Sequence, residues 1–143
     1  MIAYLDSSAL VKLYVTEPGS DRVRSLMDQA DAAATSASAY PEVRAAMARR
    51  HRAGVLTAAQ LADMASAITS DWGRLFVVPV GPPLALAAGG VAEMYSLRGM
   101  DAIHLATALW LRSHEEAVVF ATSDVRLSTA ASKAGLVIDE PWQ

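Results

Sequence analysis

The sequence predicts a three-layer α/β/α fold: an open, mostly parallel sheet with helices on both faces. Three observations lead there. Short apolar runs alternate along the chain with longer segments of helical periodicity, the pattern of strand–helix–strand crossovers. No repeat, low-complexity tract or linker divides the 143 residues, so one domain over 1–143 is expected. A chain of that size buries roughly 68–70% of its unfolded surface. Hydrophobic residues make up 53% and mean hydropathy is +0.26, enough for a core without covalent staples.

Each element has its own signal. Ile2 to Leu5 is an apolar run that reads as a short buried strand. Ser8 to Val15 is a first helix, stopped before Pro18-Gly19. Ser20 or Asp21 caps a second, running to Gln29 with Val23, Leu26 and Met27 on its apolar face. Ala32 to Thr35 is a strand only weakly signalled by its alanines. Tyr40 to Ala53 is helical, with Pro41 tolerated in the first turn and Gly54 closing the last. Thr57-Ala58-Ala59-Gln60 fits a capping box, with Leu56 and Leu61 in the positions of a hydrophobic staple. Leu61, Met64, Ile68 and Trp72 then continue one helical stripe. Leu75 to Val80 is a strand of β-branched and aromatic residues, and Pro82-Pro83 opens a helix through Leu97. Asp101 to Arg112 is apolar almost all round, which marks it as central, and Trp72 and Trp110 are expected in the core. Ala117 to Ala121 carries the best strand signal; a helix from Val125 to Ala134, ended by Gly135, leads to a last strand at Leu136-Val137-Ile138.

Twelve basic and fifteen acidic side chains leave a formal charge of −3, not the bulk charge of a nucleic-acid binder. The distribution says more. Arg44, Arg49, Arg50, His51 and Arg52 fall in a stretch without an acid. Such a patch beside an acidic pocket suits a phosphate-bearing substrate, although the run alone reads equally well as a solvated helix face. The absence of cysteine excludes disulfides and thiolate metal sites. Met1 to Asp6 lacks a basic n-region, and its apolar run is too short for a signal peptide. Pro82 to Ala92, the richest apolar stretch, is broken by Gly89-Gly90 and falls short of the ~20 residues needed to span a bilayer. A soluble, cytoplasmic protein without a membrane segment is the expectation.

Four carboxylates, Asp6, Glu42, Asp101 and Asp124, stand at or near the starts of helix-like segments. Asp6 and Asp124 follow separate apolar runs, and open α/β sheets keep their ligand sites outside the carboxyl ends of strands. Singly, each acid has a plainer explanation: Asp6, Asp101 and Asp124 as helix N-caps, Glu42 as a charge favoured near a helix N-terminus. Together they raise an electrostatic problem. At about 4 Å, two unit charges in an effective dielectric near 20 repel by roughly 4 kcal/mol, so a pocket formed by all four requires a cation. An all-oxygen donor set suits Mg²⁺ or Mn²⁺, and the chemistry such ions support is phosphoryl transfer through a metal-activated water.

The segments around the acids carry a resemblance. They are Tyr4-Leu5-Asp6-Ser7-Ser8-Ala9-Leu10-Val11-Lys12-Leu13, Ser36-Ala37-Ser38-Ala39-Tyr40-Pro41-Glu42-Val43-Arg44-Ala45-Ala46, Leu97-Arg98-Gly99-Met100-Asp101-Ala102-Ile103-His104-Leu105-Ala106-Thr107-Ala108 and Thr122-Ser123-Asp124. In this order and spacing they resemble the PIN-domain ribonucleases, and within them the VapC toxins of toxin–antitoxin pairs. The resemblance covers the whole chain. It implies that Asp6, Glu42, Asp101 and Asp124 form the catalytic metal site of an Mg²⁺- or Mn²⁺-dependent endoribonuclease, leaving 5′-phosphate and 3′-hydroxyl ends. It also implies a cognate VapB-like antitoxin lying across the groove, and a homodimer. Many PIN domains have a further acid shortly after the last Asp; here Arg126 and Ser128 follow, which favours one tightly held ion.

Ser8 and Thr122 have two readings: hydrogen-bond support for a metal-binding carboxylate or a metal-bound water, or ordinary capping and strand-end bonding. Arg49 lies close to the helix face of Glu42, with the small Ala45 and Ala46 between, so Arg49 or its neighbour Arg50 is expected on substrate phosphate. His104, one turn past Asp101, could serve as a ligand or general base, but the family resemblance makes it an ordinary helix residue and it is read as packing. Two other functions compete. A catalytically inactive PIN fold serving as an RNA-binding or scaffold subunit is disfavoured by the intact acid set. A dehalogenase-type phosphatase with Asp6 as nucleophile wants a second Asp where Ser8 stands.

Overall fold

The computed structural model describes residues 1–114 and 117–139. Five parallel strands are ordered β3-β2-β1-β4-β5: β1 (Ile2–Leu5), β2 (Ala32–Ser36), β3 (Phe76–Val78), β4 (Val118–Ala121) and β5 (Val137–Asp139). Between them run α1 (Ser7–Leu10), α2 (Ser20–Gln29), α3 (Ala39–Arg52), α4 (Ala58–Asp71), α5 (Pro82–Tyr95), α6 (Gly99–Arg112) and α7 (Val125–Lys133). The three-layer α/β/α architecture is thus as expected.

Strand alternation sorts the core into two halves. Ala3 and Leu5 of β1, with Val119 and Ala121 of β4, face one apolar cluster with Leu10, Val23, Val43, Met47 and Ile68 of the helices from α1 to α4. Ile2 and Tyr4, with Val118 and Phe120, face the other, which Leu105 and Leu111 of α6 and Leu127 of α7 complete. Because β1 and β4 bury both faces, each reads as an unbroken apolar run. Alanine is a poor strand former, yet β2 sits between β1 and β3 and packs against α3 and α6, where small side chains let helices approach.

Several boundaries move. The first helix is four residues long, Ser7–Leu10, and tightens into a 3₁₀ turn at Val11–Leu13 instead of reaching Val15 as an α-helix. The N-cap of α2 is Gly19 at φ 94°, not Ser20 or Asp21; the Ser20 hydroxyl instead donates to the Val15 carbonyl. β3 is shorter than expected because it is an edge strand, with Phe76 54% exposed. Trp72 packs against the first core cluster as expected, but Trp110 is 43% exposed. The face of α6 that meets the sheet is carried by Leu105, Ala108 and Leu111, which turns Trp110 outward. The tail of the expected 1–143 domain, residues 140–143, lies outside the described residues.

Candidate active site

The strand order reverses direction between β1 and β4, so the segments that leave their carboxyl ends part and open a crevice there. Asp6 follows β1 and Thr122-Ser123-Asp124 follows β4, on the two lips of that crevice. Glu42 enters from the first turn of α3 and Asp101 from the first turn of α6. All four acids line one cavity of about 360 Å³, together with Arg49, Arg50 and His104. A second cavity of about 730 Å³ shares Glu42, Asp101 and Asp124 and continues past Arg98 along the small residues of α5.

Asp6 and Asp124 serve as the N-caps their positions suggested. Asp6 Oδ1 accepts from the Ala9 amide at 2.9 Å, and Asp124 Oδ1 accepts from the amides of Arg126 and Leu127 at 2.8 and 3.2 Å. Asp101 is not a cap, because Arg98 holds that position of α6. Asp6 is also held by side chains. Ser8 donates to Oδ1 at 2.7 Å and Thr122 to Oδ2 at 2.5 Å, while the Ser8 hydroxyl accepts from the Ser123 amide at 2.9 Å. Burial pushes the Asp6 carboxyl above its ordinary value, against His104 and these hydrogen bonds.

Glu42 is anchored on the far side. Its Oε1 accepts from the Ser7 hydroxyl at 2.6 Å and stands 2.9 Å from Nε2 of His104. Burial raises this carboxyl, but the His104 and Ser7 hydrogen bonds outweigh burial and leave it below the usual glutamate value. His104 is 2% exposed, so it packs as expected, but it is also a polar contact of the site. Its Nδ1 lies 2.9 Å from the hydroxyl of the fully buried Tyr4, whose phenol burial pushes well above its ordinary value. Ser7, Tyr4 and the pairing of His104 with Glu42 escaped the sequence reading. The available signal was Tyr4 itself, since a tyrosine inside a central strand needs a partner for its hydroxyl.

The two arginines part company. Arg50 is committed to Glu17, with Nε and Nη2 each 3.0 Å from its carboxylate, and Lys12 joins the same acid at 2.8 Å. Arg49 is exposed at the cavity rim, with no ion-pair partner among the described residues.

The donor chemistry fits a hard divalent cation. Glu42 and Asp124 are each pinned by one oxygen and have no protein donor on the other among the described residues; Asp101 has none on either. Burial first, then the charges of Asp124, Asp6 and Glu42, raise the Asp101 carboxyl, with only His104 opposing. These are oxygens in a negative pocket with no cationic side chain paired to them. As the side chains stand, however, no three acidic or histidine groups among the described residues form an arrangement that would hold an ion. Rotation of the half-buried Asp101, which no hydrogen bond holds among the described residues, is the least costly way to close the set.

A parallel α/β sheet with an acid-lined crevice at its switch point defines a class, and the chain belongs to it: the PIN domain model matches residues 3–133, so this is a member of the PIN-domain family. Within the family it is of the VapC type. Ribonuclease VapC45 and Ribonuclease VapC49, from two strains of Mycobacterium tuberculosis, are each 42% identical over 134 residues, covering 94% of this chain and 92% of theirs. FitAcB from Neisseria gonorrhoeae superposes with a TM-score of 0.69 at 20% identity, covering 100% of this chain and 99% of that one. A toxin–antitoxin complex from Klebsiella pneumoniae gives 0.69 at 17% identity, covering 99% and 98%. At those identities the likeness is one of fold. No helix among the described residues is long and apolar enough to cross a membrane.

Proposed function

We propose that this protein is a metal-dependent endoribonuclease, the toxin of a toxin–antitoxin pair acting in the cytoplasm. The observation that carries the reading is the lining of one cavity by four carboxylates drawn from four separate elements, each with at least one face toward the same space. The ribonuclease names of the 42% identical relatives support the reaction class. Asp6, Glu42, Asp101 and Asp124 would hold one Mg²⁺ or Mn²⁺. When bound, such an ion lowers the pKa of an attacking water and stabilises charge on the phosphate. The chain's own contribution is to keep those carboxylates in place. Ser8 and Thr122 fix Asp6, and Arg49 at the rim offers a charge-assisted hydrogen bond to RNA phosphate. The partners of this reading are an RNA substrate, a VapB-like antitoxin whose tail crosses the groove, and a second copy of the chain.

Two measurements test it. An ion present at 100 times its dissociation constant stabilises by about 2.7 kcal/mol, on the order of 5–10 °C for a chain of this size. Mn²⁺ should raise the melting temperature by that amount and a chelator should remove the gain; an inactive scaffold without a metal site would give a flat titration. Asp6→Asn and Asp101→Asn should each lose RNA cleavage while keeping wild-type circular dichroism. Cleavage at the wild-type rate by either variant rejects the mechanism.

A further inference from the structure

Glu42 is the acid with most reason to leave the cavity. Its side chain is 29% exposed, it shares the space with three other carboxylates, and a glutamate has one more rotatable bond than the aspartates. Three other elements nevertheless converge to keep it inside: Ser7 of α1 and His104 of α6 directly, and Tyr4 of β1 through His104. Both donors act on the same oxygen, Oε1, at 2.6 and 2.9 Å, and Ser7 Oγ and His104 Nε2 stand 3.2 Å apart. A carboxylate only accepts, so Nε2 carries a hydrogen toward Glu42; in the neutral ring Nδ1 is then an acceptor, and the Tyr4 hydroxyl 2.9 Å away donates to it. Tyr4 is in turn fixed by stacking on Phe120 at 5.4 Å, with the planes 8° apart.

We propose that His104, braced by Tyr4, is a positioning residue that holds Glu42 for cation binding: with Ser7 it takes up Oε1 and presents Oε2 to the cavity. A buried histidine kept only for its volume would not need both ring nitrogens matched to partners on two other elements. The inference rests on the metal-dependent reading above. It assigns to α6 a second task, since the helix that carries Asp101 also determines where Glu42 points. The outer hydrogen bonds of metal ligands are commonly worth 10–100-fold in metal affinity or activity.

The test uses the full-length protein with Mn²⁺ as probe. His104→Leu keeps the volume and removes the donor; His104→Gln keeps a donor. Mn²⁺ affinity is read by calorimetry or by the paramagnetic signal of the free ion, and RNA cleavage is measured as a function of Mn²⁺. His104→Leu should weaken Mn²⁺ binding roughly 10–100-fold and move the metal dependence of cleavage by the same factor, with much of the maximal rate recovered at saturating metal. His104→Gln should restore most of the affinity, and Tyr4→Phe should fall between it and His104→Leu. Wild-type Mn²⁺ affinity and metal dependence in His104→Leu overturn the proposal. Glu42→Gln separates the two levels: if it abolishes cleavage while His104→Leu behaves as wild type, the nuclease reading stands and only the positioning role is lost. If Glu42→Gln cleaves normally, the parent reading fails. Should His104→Leu not fold, Ser7→Ala carries the test from the other donor, with reduced Mn²⁺ affinity expected and unchanged affinity contradicting the proposal.

Discussion

Asp101 is the acid that the protein does least to hold. Asp6 and Asp124 cap helices and Glu42 has two side-chain donors, whereas Asp101 has no hydrogen bond or ion pair among the described residues. Its carboxyl is raised by burial and then by its acidic neighbours. A group whose folded value lies above its unfolded value binds its proton more tightly in the native state. The stability it costs is therefore absent well below the ordinary aspartate value and fully present above the raised one. Replacing it should help the fold and harm the chemistry. Asp101→Asn is expected to stabilise the metal-free protein by no more than about 1 kcal/mol, because solvent screens the half-buried carboxylate, which is roughly 2–4 °C for a chain of this length, while removing the Mn²⁺-dependent rise. Paired melts at neutral pH, with chelator and with Mn²⁺, check both halves. A metal-free melting temperature below wild type would mean that Asp101 makes a favourable contact and is not the unpaired member of the set.

At the scale of elements, local chemistry decided what was legible. The capping box of α4 forms as its spelling requires: Gln60 N donates to Thr57 Oγ1 at 3.1 Å and Thr57 N to Gln60 Oε1 at 2.9 Å. It lies outside the two cavities, so Thr57→Ala should cost about 1 kcal/mol of stability and leave RNA cleavage unchanged. Loss of activity without loss of stability would place α4 in the substrate path. Gly54 and Gly135, at φ 79° and 88°, end α3 and α7 because only glycine enters that conformation without strain. Where the deciding contact is distant in sequence, the reading slipped. The acids were legible because each sits at a helix start beside an apolar run, and so was the support that Ser8 and Thr122 give a carboxylate, here Asp6; the hold on Glu42 was not. Ser7 and His104 meet Glu42 across 35 and 62 positions, and no local pattern announces such a pairing. Trp110 slipped for a related reason, since the apolar circumference of α6 does not say which side the sheet covers.

For the molecule as a whole, the net charge of −3 conceals a division of labour among the cations of α3. Arg49, on the helix face of Glu42, and its neighbour Arg50 were both candidates in sequence, but the loop before α2 brings Glu17 to Arg50 and Lys12. Arg50 is thereby made a structural cation, and on the proposed reading Arg49 is the one left for substrate phosphate. The two substitutions should therefore fail differently. Arg49→Ala should weaken RNA binding to a similar degree across sequences and lower the dependence of log affinity on log salt by about 0.7, the share of one phosphate contact on a single strand. Its melting temperature should not change. Arg50→Ala should leave that slope nearly intact and cost about 1–2 kcal/mol of stability, because Glu17 loses a two-point partner. The loss should depend on pH. Burial raises the Glu17 carboxyl, but hydrogen bonds from Lys12 and Arg50, with their charges, more than offset it and leave the group below its ordinary value. A depressed carboxyl contributes stability that is complete above the ordinary glutamate range and disappears as pH falls through the lower folded value. The gap between wild type and Arg50→Ala should accordingly be full at neutral pH and close in acid. Binding isotherms at several salt concentrations and melts from neutral to acidic pH decide it. A salt slope lowered by Arg50→Ala but not by Arg49→Ala would reverse the assignment and make Glu17 a competitor for the RNA phosphate.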